Sequence, residues 1–517
     1  MPSMIKYQRT KNSVRNTAFG LILKVINMVG AFVTRTMLIH LLGVEYVGLD
    51  GLFVSVLNML NMAELGFSSA VVFKLYKPIA AGDADSVCAL LNYYKKIYRY
   101  IGLFVAVAGV ALVPFLPYFV KGGAPDNINI YILYAIYLSN TVLSYWLFAY
   151  KTALLNAHQR GDLASKVNSL AFILKYVIQF IVLLTTRNYY CYAVVIPLTT
   201  LLTNLGSAFI ADKYYPQYVC RGELKKEERK EIKEKVSALV YNKIGVAIIN
   251  GSDSIVISSY LGLTLLGIYD SYYYIFKMLH SFFDVFHSAI TPGVGNSIVT
   301  ESVDDNYKLF NRLNFLNMWI VGWCSICMCC LYQPFIKLWV GQEKALSIWF
   351  SLLMAAFFYF WMIRFIVLIF KNAQGLWRED RFRSISEGIF NLCLNLIMVQ
   401  FMGIYGIILS TIIAMLIISV PWETKVLFKY YFDRSPKQYY LTLIAKTVIT
   451  VVVGTVTYLL CSLYKGGLVA TLLVRAIICI VVPNVIFISI YHKSENFEYM
   501  IKLIKKLFRL LARKAAA

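Results

Sequence analysis

About fourteen apolar stretches fill most of this chain, and the links between them alternate between basic and nearly uncharged. A hydrocarbon layer about 30 Å thick takes about 20 apolar residues per α-helix, and only helices or closed barrels satisfy their own peptide groups inside it. The stretches therefore read as membrane-spanning helices near residues 17–42, 48–75, 98–120, 128–150, 167–186, 190–211, 236–260, 265–290, 314–339, 347–370, 384–402, 404–424, 440–464 and 468–491. The expected fold class is an all-α integral membrane protein with about fourteen transmembrane helices.

Composition agrees. The chain is 59% hydrophobic and 15% charged, with mean hydropathy +0.65, whereas soluble domains carry about 25% charged residues. Its formal charge of +23 would suggest nucleic acid in a soluble protein. Here the cations gather in every second link, as Lys77, Lys95, Lys96 and Arg99, as Lys151, Arg160 and Lys166, or as the run from Lys225 to Lys235. The positive-inside rule puts such links in the cytoplasm, so topology explains the charge without a nucleic-acid partner. Both termini are basic and are expected there too. From Phe497 to Leu511, apolar residues at helical spacing between lysines suggest a segment lying on the inner membrane surface.

Met1 to Asn16 is polar and basic, and Thr17 to Leu42 is too long for a signal h-region, so the first helix is expected to be uncleaved. The ten cysteines lie mostly within apolar runs. A disulfide framework is not expected, and Cys324 and Cys327 read as small packing residues rather than metal ligands.

An internal repeat supplies the domain plan. Leu42-Gly43-Val44-Glu45-Tyr46-Val47-Gly48 resembles Leu261-Gly262-Leu263-Thr264-Leu265-Leu266-Gly267 at an offset of 262 − 43 = 219 residues. Lys24 and Lys243, Ser69-Ala70 and Ser288-Ala289, and Asn92 and Asn311 share that offset, while Asn156-Ala157 and Asn372-Ala373 stand 216 apart. Two six-helix bundles of parallel orientation are expected at 1–211 and 236–425, with a basic connector at 212–235, two added helices within 426–492 and a basic amphipathic tail at 493–517. Parallel repeats of this kind are common in transporters, with the substrate site near their interface.

Arg15-Asn16, Arg35, the turn from Leu42 to Leu49, Ala63-Glu64-Leu65-Gly66 and Leu75-Tyr76-Lys77-Pro78 together resemble the N-terminal pattern of Wzx-type bacterial polysaccharide flippases. These belong to the multidrug, oligosaccharidyl-lipid and polysaccharide (MOP) exporter superfamily. The resemblance implies a V-shaped alternating-access transporter in the bacterial cytoplasmic membrane. Its substrate would be an oligosaccharide repeat unit on undecaprenyl pyrophosphate, moved from the inner to the outer leaflet for surface-polysaccharide assembly. It also implies that the last two helices help to form a groove for the lipid tail. The expected partners are the lipid-linked oligosaccharide, membrane lipids and a polysaccharide polymerase complex, for a monomer that uses no cofactor or metal.

Charges within the spans give the candidate residues. A charge at mid-bilayer costs at least about 2.5–3.5 kcal/mol, so such groups face a cavity or a partner. Lys24, Arg35, Lys243, Lys277 and Arg364 are candidates for a pyrophosphate; Lys24 and Lys243 are repeat-equivalent, and the Arg fork suits phosphate oxygens. Lys24 and Arg35 each lie about 10 Å from a helix end, so snorkelling to the headgroups is the alternative, and it is the reading given to Lys175 and Arg475. Glu64, Asp253, Asp284 and His280 are candidates for ion coupling or a charge network. Lys277, His280 and Asp284 share a helix face, and Glu64 is expected to pair with Arg35 or Lys24. Asn58, Asn61, Asn242 and Asn250 are candidates for sugar contacts or interhelical bonds.

A multidrug exporter or a lipid II flippase of the same superfamily is the nearest alternative function. The rival from another class, a membrane-embedded polysaccharide polymerase, generally needs a sizeable external loop, and the external links here are short. No nucleotide-binding, zinc-ligand or nucleophile motif appears, so an enzyme is not expected.

Overall fold

The computed structural model describes residues 24–64, 66–502 and 505, with no side chain described at 63, 235, 237–239 or 241. The motif residues Arg15 and Asn16, and most of both basic termini, lie outside the described residues. Nine of the described helices are long and apolar enough to cross a membrane, or eleven if two bent pairs each count as one span. The chain is a multi-pass membrane protein. It divides into two compact units, Met1–Gly267 and Ile268–Ala517.

The first unit contains α1 (24–41), α2 (Val44–Leu60), α3 (Phe67–Ala81), α4 (Ala84–Ala111), α5 (Ile130–Trp146), α6 (Ala149–Ala157), α7 (Gly161–Thr186), α8 (Tyr189–Tyr214) and α9 (Lys226–Leu261). The apolar run expected as one helix over 48–75 is broken: a 3₁₀ turn at Asn61–Glu64 and left-handed Gly66, φ 79°, separate α2 from α3. The α5–α6 pair bends by 49° at Phe148, a non-glycine residue at φ 54°. Local caps close the exposed starts. Asp83 accepts from the Ser86 hydroxyl at 2.6 Å and from the Ser86 amide at 3.0 Å, which together hold its carboxyl below the usual carboxylate range, and Asn129 and Asn188 accept from backbone amides to cap α5 and α8. Where a connector was expected over 212–235, α8 runs on to Tyr214 and α9 begins at Lys226, so much of the basic segment is the first turns of a 36-residue helix.

The second unit holds most of α10 (Leu263–Thr300), then α11 (Val303–Trp339), α12 (Ile348–Ile363), α13 (Phe365–Ala373), α14 (Trp377–Asp380), α15 (Arg383–Met402), α16 (Ile404–Ala414), α17 (Val420–Leu427), α18 (Lys437–Leu463) and α19 (Leu468–Tyr491). Two π turns, Met415–Ser419 and Phe428–Phe432, bracket α17. The added helices α18 and α19 pack on α11 through Ile326, Cys330, Val453, Cys461, Cys479 and Phe487.

The repeat seen in the sequence reappears as geometry. A Cβ on Gly48 would run into the carbonyl oxygen of Leu263, and one on Gly267 into that of Val44. Thr264 donates to Glu45 at 3.1 Å. All three pairs unite the two copies of the turn within the first unit, where α9 packs against α2 and α3. The 216-residue offset holds as exactly at the ends of α6 and α13. The His158, Gln159 and Arg160 amides donate to Leu154, Asn156 and Leu155, and Gln374, Gly375 and Leu376 donate to the equivalent Phe370, Asn372 and Lys371. Gln159 and Gly375 are both left-handed, at φ 58° and 77°, as a helix-closing turn of this type requires.

Lipid offers helices little hydrophobic drive to associate, so close backbone approach at small residues matters more than in water. Gly48→Ala and Gly267→Ala are expected to destabilise the folded protein by about 1–3 kcal/mol each, measured as thermal loss of the monodisperse peak in detergent. Gly293→Ala, where a Cβ meets nothing within 4 Å, should leave it unchanged.

Candidate functional site

Polar and charged side chains collect where helices break, because a break frees peptide groups that the bilayer will not solvate. At the α2–α3 break, Glu64 accepts from the Tyr98 hydroxyl at 2.7 Å. Tyr98 stacks on Tyr94, with centroids 4.2 Å apart, and Tyr94 donates to Ser68 at 3.0 Å. Tyr145 donates to the Asn61 side chain at 3.1 Å, and Asn61 to Asn58 at 3.4 Å. Three sequence candidates, Asn58, Asn61 and Glu64, thus share one cluster. The partner of Glu64 is Tyr98 rather than the expected Arg35 or Lys24, because the break turns Glu64 toward α4.

A second cluster lies between α2, α5 and α8. Tyr137 donates to Asp50 at 2.5 Å and lies 3.1 Å from the Tyr189 hydroxyl, and Tyr189 donates to the Tyr46 carbonyl at 3.1 Å. The Lys175 ammonium sits 5.4 Å over the Tyr176 ring and interacts electrostatically with Asp50. Arg35 is half-buried, with Nε and one terminal nitrogen shielded from solvent, and its charge acts on Tyr192. α1 reaches this region because Gly30 leaves room for the Tyr176 ring. Sequence reasoning missed Asp50. Its signal was there, a carboxylate within the apolar run after the Leu-Gly-Val-Glu-Tyr turn.

Of the other candidates in this unit, Lys24 is half-buried on α1. On α9, Lys243 and Asn250 are exposed, and Asn242 and Asp253 half-buried.

In the second unit, the candidates on α10 meet aromatic rings. His280 Nδ1 lies 3.1 Å from an Asp284 carboxylate oxygen, and Lys277 rests 4.7 Å over the Tyr273 ring. His287, one turn on, is buried, stacks on Phe365 at 4.0 Å and faces Asn317 at 3.4 Å, while Asn317 donates to the Met362 carbonyl at the end of α12. Asn317 therefore links the α10 network to the break between α12 and α13.

Arg364, one of the cations expected for a pyrophosphate, sits at that break. Its fork is filled by Glu423, with bonds of 3.0 and 2.7 Å, and it lies 3.6 Å from Glu387. Arg383 binds Glu423 at 3.1 Å and Glu387 at 2.8 Å, and Lys371 and Arg383 both pair with Asp380. Three cations and three carboxylates cancel in a buried network, in which the Nε–Nη2 edge of Arg364 is taken by Glu423. Arg475 likewise turns inward, donating to the Cys330 carbonyl at 3.1 Å.

Removing one partner of a buried pair costs about 3–5 kcal/mol because the other charge is left uncompensated. Arg364→Ala is therefore expected to lose most of the folded yield in detergent, and the double variant Arg364→Met with Glu423→Leu to recover most of it, read by size-exclusion profile and melting temperature.

The family described as polysaccharide biosynthesis protein matches residues 13–297, more than half of the chain. No curated protein matches it in sequence. Among solved structures, the lipid II flippase MurJ in an inward closed conformation superposes with a TM-score of 0.63 at 14% identity, covering 92% of this chain and 99% of MurJ. An inward-facing multidrug resistance MATE family transporter of the MOP superfamily gives 0.63 at 14% identity, covering 79% and 98%. A MOP superfamily transporter from Pyrococcus furiosus gives 0.56 at 13%, covering 82% and 96%. At such identities the likeness establishes the fold. With the MOP transporter fold and a family match across its first unit and into its second, the chain belongs to the polysaccharide biosynthesis protein family.

Proposed function

We propose that this protein flips undecaprenyl-pyrophosphate-linked oligosaccharide repeat units from the inner to the outer leaflet of the bacterial cytoplasmic membrane by alternating access, with both termini in the cytoplasm. The observation that carries the reading is a polysaccharide biosynthesis family match on a transporter fold. Neither needs a catalytic site. The diphosphate is assigned to Lys24, Arg35 and Lys243, since an anion leaving water needs compensating cations, and Lys277 is a separate candidate cation. Arg364 is omitted because Glu423 occupies it.

Sugar hydroxyls are assigned to Asn58, Asn61, Asn242 and Asn250. The first two lie where α2 breaks and Tyr98 and Tyr145 add ring faces beside them. Coupling is assigned to Glu64, Asp253 and the His280–Asp284 pair, whose acid–base geometry suits proton exchange. An apolar groove of about 530 Å³ between α11, α12 and α18, lined by Ile326, Leu352, Phe360, Val451 and Tyr458, fits a polyprenyl tail. The protein acts as a monomer and hands its cargo to a polymerase complex.

A second reading, transport of lipid II, is favoured by coverage: MurJ matches 92% of this chain against 79% for the MATE transporter. Both substrates carry the same diphosphate, so the glycan discriminates them.

In liposomes carrying a labelled undecaprenyl-pyrophosphate oligosaccharide in one leaflet, the protein is expected to expose the label to an external glycosidase. Arg35→Ala and Lys24→Ala should each slow this by about 10-fold or more, in line with loss of a charge-assisted contact of about 1.5–3 kcal/mol, while an Arg378→Ala control keeps its rate. Faster flipping of lipid II than of any repeat unit would transfer the assignment to cell-wall precursors, and unchanged rates in both variants would discard the diphosphate site.

A further inference from the structure

Four cysteines from three helices converge inside the second unit. Cys330 on α11, Cys461 on α18 and Cys479 on α19 are 0%, 0% and 1% exposed, and their sulfurs all lie within 4.8 Å of one another. Cys327, one turn before Cys330, points its sulfur at the Cys479 backbone carbonyl, 4.0 Å away. Packing alone asks only for small apolar side chains here, and Ala or Val would serve. Three thiols meeting at one point from segments as far apart as 330, 461 and 479 form a donor set.

The spacing suits a soft cation. A metal held at about 2.3 Å by each thiolate sets the sulfurs somewhat under 4 Å apart, so sulfurs within 4.8 Å need to close by less than about 1 Å. Thiolates select d¹⁰ cations over the hard ions that carboxylates prefer. The group also has a counter-charge: Arg475 lies one turn from Cys479 on α19, donates to the Cys330 carbonyl at 3.1 Å and acts electrostatically on the Cys461 and Cys479 thiols. Trp323 donates to the Cys479 carbonyl at 2.8 Å, which fixes that turn of α19.

We propose that Cys330, Cys461 and Cys479 form a structural site for a divalent d¹⁰ cation of the zinc class, with Cys327 as an accessory ligand, that staples α18 and α19 to α11. Binding is ligand exchange without electron transfer. Three S–H bonds break, three protons leave to solvent, and three metal–sulfur bonds form, giving one net negative charge that Arg475 offsets. In lipid, where α18 and α19 gain little from apolar burial, such a staple supplies the association that the hydrophobic effect would supply in water.

The test uses the full-length protein purified in detergent. Elemental analysis is expected to find about one zinc per chain, and cadmium added after chelation to restore one equivalent with a thiolate charge-transfer band. Cys330→Ser, Cys461→Ser and Cys479→Ser should each weaken cadmium binding by more than the about 10-fold that loss of an outer-shell partner costs. Cys191→Ser and Cys393→Ser, at exposed positions, should not. In the unmodified chain, which avoids any folding defect of the variants, chelation should increase alkylation of the three buried thiols as read by peptide mass spectrometry. Absence of both retained zinc and the cadmium band overturns the site. So does alkylation indifferent to chelator, or a Cys461–Cys479 disulfide in unreduced peptides.

Discussion

Inside a hydrocarbon layer each peptide N–H and C=O must find its partner within the chain, and the rest of this structure depends on how that demand is met. Unbroken helices meet it residue by residue, as the proline-free α7 and α18 do. Wherever the ladder is interrupted, the freed groups need local cover. The Asn61 carbonyl and side chain receive Tyr145, the Met362 carbonyl receives Asn317, and the ends of α6 and α13 close with the same set of backbone bonds. Polar side chains are drawn to these points because there they replace a missing peptide partner.

The same low dielectric governs charge. Arg364, Lys371 and Arg383 sit with Asp380, Glu387 and Glu423 at the α12–α13 break and beside the π turns around α17. Single charges are costly there, and six that cancel are tolerable. In the first unit Lys175 and Arg35 act on the Asp50–Tyr137–Tyr189–Tyr192 group through space, and Glu64 accepts from the Tyr98 hydroxyl.

Backbone proximity is the third element. Gly48 and Gly267 occupy equivalent places in the two copies of the repeat, and each gives way to a carbonyl of the opposite copy. Glu45 and Thr264, also equivalent, bond to each other. A duplicated sequence meeting itself at its own signature turn accounts for the persistence of glycine in both copies, since any Cβ would force the turns apart.

Much of the architecture was legible in the chain itself. Membrane helices follow from the length of the apolar runs and the repeat from spacings of 219 and 216 residues, because these are set by bilayer thickness and duplication and neither requires knowledge of contacts. The pairing of charges was not legible. Arg364 read as a cavity cation, and the fold sets one edge of its guanidinium on Glu423, 59 residues on; Arg475 read as snorkelling, and the fold turns it to the Cys330 carbonyl; and Asp50, Glu387 and Glu423 were not singled out. A sequence records where a charge lies along a helix. Which neighbour it meets depends on the rotation of that helix and on breaks such as Gly66, and those are decided by packing between helices distant in the chain.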